Sequence, residues 1–222
     1  MASVKCMDAV DRAIAAATSH AMIVIRGPMF SGKSKTLLSI TERARTVYRL
    51  RVVFVTYDTD DRSVDATTHD RQCYPDGVVY CKTLHDVDAA AAIDGDTVMV
   101  VDEIQFFLMH DGVPDTLRRL DAIRAAARVL VVAGLRYDYR RRPFAGTEAL
   151  YASAGAEHVY TLSARCTVEQ CTSHYEAHHS FRITGGDGGG AFAPHDEYTP
   201  MCEHCHFKAS AAAAHNKAFN LS

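Results

Sequence analysis

No apolar run in these 222 residues reaches the roughly 20 that a bilayer-spanning helix needs. Met1 to Cys6 lacks the apolar stretch of a secretory signal. An excess of one charge is missing too. Lys and Arg number 24 against 27 Asp and Glu, and a formal charge of −3 gives no electrostatic footprint for nucleic acid or an anionic membrane. The seven cysteines are uneven, with four bunched late, which fits metal binding in a reducing compartment better than a disulfide framework. These absences predict a soluble, cytoplasmic protein with neither a nucleic acid nor a membrane as partner. A hydrophobic content of 48% and a charged content of 23% are those of an ordinary globular chain, long enough for one substantial core plus a small appendage.

What is present centres on Gly27-Pro28-Met29-Phe30-Ser31-Gly32-Lys33-Ser34, which has the G-x-x-x-x-G-K-S spacing of a phosphate-cradling P-loop. Gly27 and Gly32 let the backbone turn so that successive N–H groups face phosphate oxygens. Lys33 supplies charge for the β- and γ-phosphates of a nucleotide, and the Ser34 hydroxyl suits Mg²⁺. The flanks agree. Ala21 to Arg26 is an apolar run fit for a buried strand, and Lys35 to Tyr48 carries Leu37, Leu38, Ile40 and Ala44 at near-helical spacing without Gly or Pro. Strand, loop and helix N-terminus form the setting in which the helix dipole adds to anion binding. A chance match in a turn is the alternative.

Along the chain, alanine-rich Met7 to Ser19 predicts a helix, and Arg51 to Tyr57 a strand. Thr59 to Asp76 is polar and loop-like, Gly77 to Tyr80 a short strand, and Leu84, Val87 and Ala91 mark a helix. Thr97 to Val101 predicts a strand ending at Asp102-Glu103, Pro114 to Arg128 a helix, and Val129 to Ala133 a further strand. Apolar strands alternating with helices predict an α/β fold, with a P-loop (RecA-like) parallel sheet flanked by helices and ligands bound beyond the strands' carboxyl ends. An acid closing an apolar strand downstream of a P-loop is the Walker-B arrangement, in which Asp102 holds Mg²⁺. Glu103, beside it, can act as general base toward an attacking hydroxyl. A solvated acidic turn is the alternative.

Cys202 and Cys205 form a C-x-x-C, and Cys166 and Cys171 a wider C-x₄-C. Four thiolates at such spacings predict a closed structural Zn²⁺ site, against four free cysteines. His174, His178, His179, His204 and His206 are alternative ligands. Glycine-rich Gly185 to Gly190 lies between the two cysteine pairs, and Ala209 to Ser222 reads as a poorly ordered tail.

From Met22 to Lys208 the chain resembles the zinc-containing thymidine kinases, the tetrameric kind of animal cells, bacteria and large DNA viruses. The marks are the P-loop, Asp60-Asp61-Arg62 with Thr68-His69-Asp70-Arg71, and Asp102-Glu103-Ile104-Gln105-Phe106-Phe107. Gly134-Leu135 with Tyr139 and Arg141-Arg142-Pro143-Phe144, and the late cysteines, complete the set. The resemblance implies an ATP- and Mg²⁺-dependent kinase acting on the 5′-hydroxyl of thymidine and deoxyuridine, assembled as a homotetramer. It implies Glu103 as base, with Lys33 and Arg62 also catalytic. Gly27 to Ser34, Asp60, Asp102 and Gln105 would bind ATP and its cation. Met29, Phe106, Leu135, Tyr139, Phe144, Ile183, Gly185, Gly186 and Tyr198 would bind the nucleoside, and Cys166, Cys171, Cys202 and Cys205 the zinc. The expected organisation is a helical extension over 1–20, the α/β kinase domain over 21–162, a zinc-binding lasso-like lid over 163–208 and a tail over 209–222. Two other functions fit parts of the pattern. One is another P-loop nucleoside or nucleotide kinase with a zinc lid. The other is a zinc-ribbon, nucleic-acid-dependent ATPase, which the acids Asp187, Asp196, Glu197 and Glu203 near the cysteines disfavour.

Overall fold

The structure, a computed structural model, describes residues 2–16, 20–58, 77–87, 93–171, 176–183 and 197–219. Six strands form one sheet: β1 (Ala21–Arg26), β2 (Arg51–Tyr57), β3 (Val79–Cys81), β4 (Thr97–Asp102), β5 (Val129–Gly134) and β6 (Val159–Thr161). Their order is β3-β2-β4-β5-β1-β6, and each neighbouring pair is parallel. The helices are α1 (Ala2–Ala15), α2 (Lys33–Thr46), α3 (Ile104–His110), α4 (Val113–Ala126) and α5 (Thr147–Ala154). A short antiparallel pair, β7 (His179–Arg182) and β8 (Tyr198–Met201), follows and leads into α6 (Glu203–Phe219).

Alternate residues of each strand enter opposite cores, because strand side chains have a period of two. Met22, Val24, Met99, Val101, Leu130 and Val132 pack with α3, α4 and α5 on one face. Ile23, Ile25, Phe54, Val100, Val131 and Ala133 pack with α1 and α2 on the other. A strand buried on both sides has no polar alternation, which is why β1, β4 and β5 are legible as continuous apolar runs. Among the described residues no helix is long and apolar enough to cross a membrane.

The register aligns the carboxyl ends that carry the chemistry. Arg26 pairs with Gly134 and Thr161, and Asp102 with Thr56. The chain departs from the sequence expectation in several places. Helix α1 starts at Ala2, ahead of Met7, and buries Cys6, Ala9, Val10, Ala13 and Ile14. The segment at Leu84 makes one 3₁₀ turn, Leu84–Asp86, with 88–92 outside the described residues. Helices α3 and α5 are additions to the expected elements. Helix α6 continues through 209–219, where a tail was expected, because the run Ala211 to Ala214 has high helix propensity.

Candidate active site

The P-loop leaves β1 at Arg26 and enters α2 at Lys33. Gly27 must be glycine: a Cβ there would stand 2.5 Å from the Leu162 carbonyl oxygen and 2.6 Å from Ser31 Oγ. Lys33 Nζ donates to the Pro28 carbonyl at 2.7 Å, and the Met29 amide donates to Ser180 Oγ of β7 at 2.9 Å. The Pro28–Met29 peptide is thus held at both of its polar atoms, once from the P-loop itself and once from the far end of the chain. Ser31 Oγ is buried with no hydrogen-bond partner among the described residues.

At the tip of β4, Ser34 Oγ donates to Asp102 Oδ2 at 2.9 Å, and the Glu103 amide donates to Asp102 Oδ1 at 2.9 Å. Asp102 is fully buried. That burial, reinforced by the Glu103 carboxylate and opposed by Ser34 and Lys33, pushes its carboxyl up to about 6. Ser34 and Asp102 therefore present two adjacent hard oxygen donors, the ligand chemistry that a Mg²⁺ ion takes.

Glu103 sits in the left-handed region at φ 56°, immediately before α3. A non-glycine residue pays about 1–2 kcal/mol to stay there, and such strain concentrates at working sites. Gln105 holds its carboxylate: Nε2 donates to Glu103 Oε2 at 2.5 Å, while Oε1 accepts from the Leu135 amide at 3.0 Å. Gln105, expected to bind ATP and its cation, is fully buried with both ends of its amide engaged. It ties the β4 tip to the β5 tip. Gly134 is what lets the two approach, since a Cβ there would lie 2.5 Å from Gln105 Oε1 and 2.7 Å from Ile104 Cγ2.

Met29, Leu135, Phe144 and Tyr198 form one buried apolar cluster with Tyr139 packed against it. These five predicted nucleoside residues come from the P-loop, the segment after β5, and β8. Phe106 is not among them. It lies on α3, not in a loop, with its ring centroid 5.4 Å from that of Tyr57. Ile183 is exposed, its amide donating to the Glu197 carbonyl at 2.8 Å. Asp60, Arg62, Gly185 and Gly186 lie outside the described residues.

The segment after β5 owes its shape to Asp138, a residue the sequence reading passes over. Its Oδ1 accepts from the Arg140 and Arg142 amides at 2.9 and 2.8 Å, and its Oδ2 from Arg142 Nε at 3.0 Å. The signal was local: an aspartate followed by polar residues forms such turns by accepting from amides further along the chain. Ser180 was missed as well, and nothing near it in sequence marks it.

Cys166, Cys171, Cys202 and Cys205 are all buried, and their sulfurs lie within 4.8 Å of one another. Cys171 and Cys202 are 3.6 Å apart, close to the roughly 3.8 Å edge of a tetrahedron with 2.3 Å Zn–S bonds. Burial pushes the Cys166 thiol up, but hydrogen bonds from the Cys202 and Val168 amides and from the neighbouring thiols outweigh it and hold the group below its ordinary value. Burial, with hydrogen bonds to the same neighbours, pushes Cys205 up to about 12. Four buried sulfurs this close together form a cage that a dication would complete. His206 is engaged elsewhere, with Nε2 3.1 Å from the Tyr139 carbonyl oxygen and Nδ1 3.3 Å from Ser210 Oγ.

The chain is 32% identical over 186 residues to human cytosolic thymidine kinase, a match covering 83% of this chain and 72% of that protein. It is 31% identical over 188 residues to a Porphyromonas gingivalis thymidine kinase, covering 84% and 85%. With the thymidine kinase of myxoma virus it shares 29% over 185 residues, covering 83% and 94%. The thymidine kinase family model matches residues 20–206, from the start of β1 through the P-loop, the acidic strand tip and the four cysteines. The chain belongs to the thymidine kinase family.

Proposed function

We propose that this protein transfers the γ-phosphate of ATP to the 5′-hydroxyl of thymidine and of deoxyuridine. The observation carrying the proposal is the junction at Met29. Its amide belongs to the phosphate loop, while its side chain is part of the Leu135–Phe144–Tyr198 cluster. The phosphate loop and the apolar cluster are therefore contiguous, as transfer between two molecules bound there requires.

In this reading the amides of Gly27 to Ser34 cradle the triphosphate. Lys33 leaves the Pro28 carbonyl for the β- and γ-phosphates, and Ser31 offers a further hydroxyl donor. Ser34 and Asp102 would hold Mg²⁺, which neutralises charge between the phosphates. Glu103 accepts the proton of the 5′-hydroxyl, held in place by Gln105. Gln105 thus acts through Glu103 and not on the nucleotide. The resemblance assigns Asp60 and Arg62 to the neighbourhood of the transferred phosphate. Phosphoryl transfer asks for positioning and charge neutralisation more than covalent chemistry, and these residues supply both. The Cys166–Cys171–Cys202–Cys205 cage would hold a structural zinc, which would fix the module carrying Ser180 and Tyr198. A homotetramer is the assembly that the resemblance implies, and sedimentation tests it.

Purified protein with ATP and Mg²⁺, assayed against a nucleoside panel and thymidine monophosphate, tests the substrate. Phosphorylation of the monophosphate in place of the nucleoside would overturn the reading. Glu103→Gln keeps size and hydrogen bonding but removes the proton acceptor, so kcat is expected to fall roughly 10²-fold or more while ATP still binds. Near-wild-type turnover would remove Glu103 from the role.

A further inference from the structure

We propose that His206 is a positioning residue for the nucleoside pocket, transmitting the placement of the zinc-site helix α6 to the segment that carries Leu135, Tyr139 and Phe144. The pocket's identity rests on the function proposed above; the mechanical link does not. His206 is 2% exposed and follows Cys205 directly. Its Nε2 lies 3.1 Å from the Tyr139 carbonyl oxygen. A carbonyl only accepts, so Nε2 carries the proton, and Nδ1 is left to accept from Ser210 Oγ at 3.3 Å. Both ring nitrogens are engaged, and the ring cannot turn without breaking both bonds. Its faces and edges are packed as well, with Phe181 edge-on at 5.4 Å and His179 at 5.6 Å.

The receiving end is the peptide of Tyr139, the residue packed against the apolar cluster. Around it the same module makes weaker contacts. Arg182 of β7 reaches Tyr139 Oη at 3.4 Å, and Arg141 pairs with Glu203 at 2.5 Å in an exposed bridge that solvent screens. The helix end is anchored by the backbone bond from the His206 amide to the Cys202 carbonyl, 2.9 Å, inside the turn spanning the two metal-site cysteines. A shift of that turn therefore moves the donor that holds the Tyr139 peptide. The pair Cys205-His206 places a cage sulfur and the loop's tether side by side.

The test uses the zinc-loaded full chain and compares wild type, His206→Ala and His206→Gln. Glutamine can donate an amide N–H toward the same carbonyl; alanine cannot. Zinc content is expected to stay at the wild-type level in both. Trypsin cleavage after Arg140 and Arg141, read without any substrate, is expected to accelerate several-fold in His206→Ala and to return close to wild type in His206→Gln. With thymidine, KM should rise roughly five- to tenfold in His206→Ala, the scale of one lost buried hydrogen bond, with kcat and the KM for ATP changed less than twofold. Unchanged cleavage and unchanged KM in His206→Ala would overturn the proposal. So would an effect that glutamine fails to restore, which would assign it to packing, or a loss of zinc, which would assign His206 to the cage. Should His206→Ala not fold, Ser210→Ala removes the partner of Nδ1 and must accelerate cleavage in the same assay. If wild type fails to phosphorylate thymidine, the proposed function falls while the cleavage comparison still decides the link.

Discussion

Asp102 has a carboxyl pushed from 3.8 to about 6 by its burial and by Glu103. A folded value above the unfolded one means that the protonated acid favours the fold. That contribution is complete below about pH 4 and is lost as pH rises through 6. Asp102→Asn removes the charge in a similar shape, so it should stabilise the nucleotide-free protein at pH 7.5 by on the order of 1–2 kcal/mol and abolish turnover. The gain should vanish near pH 4. Urea unfolding at the two pH values reads it, and equal stability of both proteins at pH 7.5 would contradict the burial argument. Gly134→Ala tests the neighbouring contact. Its Cβ would collide with Gln105 Oε1, so kcat should drop roughly tenfold or more with nucleotide binding kept; a normal kcat would mean that Gln105 does not position Glu103. Lys33, Ser34, Asp102 and Glu103 were legible because strand, loop and acid follow from local pattern. Ser180 and Asp138 were not. Ser180 matters through Met29, 151 residues away in the chain, and no local pattern encodes that distance.

At the scale of elements, the cysteine cage was legible from spacing, including the wide Cys166–Cys171 pair. Strands β7 and β8 were not, being four residues each, with polar His179 and Arg182 in one and Pro200 in the other. Helix α3 spans seven residues, too few for a 3.6-residue period to show, and so the sequence marks no helix after Glu103. The pair β7–β8 supplies Ser180 to the P-loop and Tyr198 to the apolar cluster, while Cys202 directly follows β8. We therefore expect about one zinc per chain. Chelation or Cys202→Ser should raise the KM for nucleoside more than that for ATP. Metal analysis finding no zinc in active protein would refute this, and an equal rise in both constants would show that the module serves the P-loop as much as the pocket.

At the scale of the whole molecule, fold class followed from the alternation of apolar strands and helices, whereas strand order did not. Nothing local says that β1 lies between β5 and β6. In the proposed reading the nucleoside lies against the apolar Met29–Leu135–Phe144–Tyr198 cluster, and a base read by fixed polar groups is rejected when its edge leaves them unpaired. Thymidine and deoxyuridine should both be substrates, with deoxycytidine poorer by roughly 10²-fold or more in kcat/KM. Comparable values for thymidine and deoxycytidine would exclude such a readout.

The same strand order governs how the chain is made. Met22 pairs with Leu130 and Val24 with Val159, so the phosphate-loop strand leaves the ribosome with neither neighbour yet synthesised. A nascent chain arrested before residue 129 holds Lys33, Ser34, Asp102 and Glu103. It has no cradle, because both edges of β1 are open, and bare apolar edges seek other chains. Premature stop codons in the first half of the message are thus predicted to yield a client for holdase chaperones and proteases, not a weak enzyme. Competence to bind nucleotide is therefore expected only after β5 and β6 have both been made.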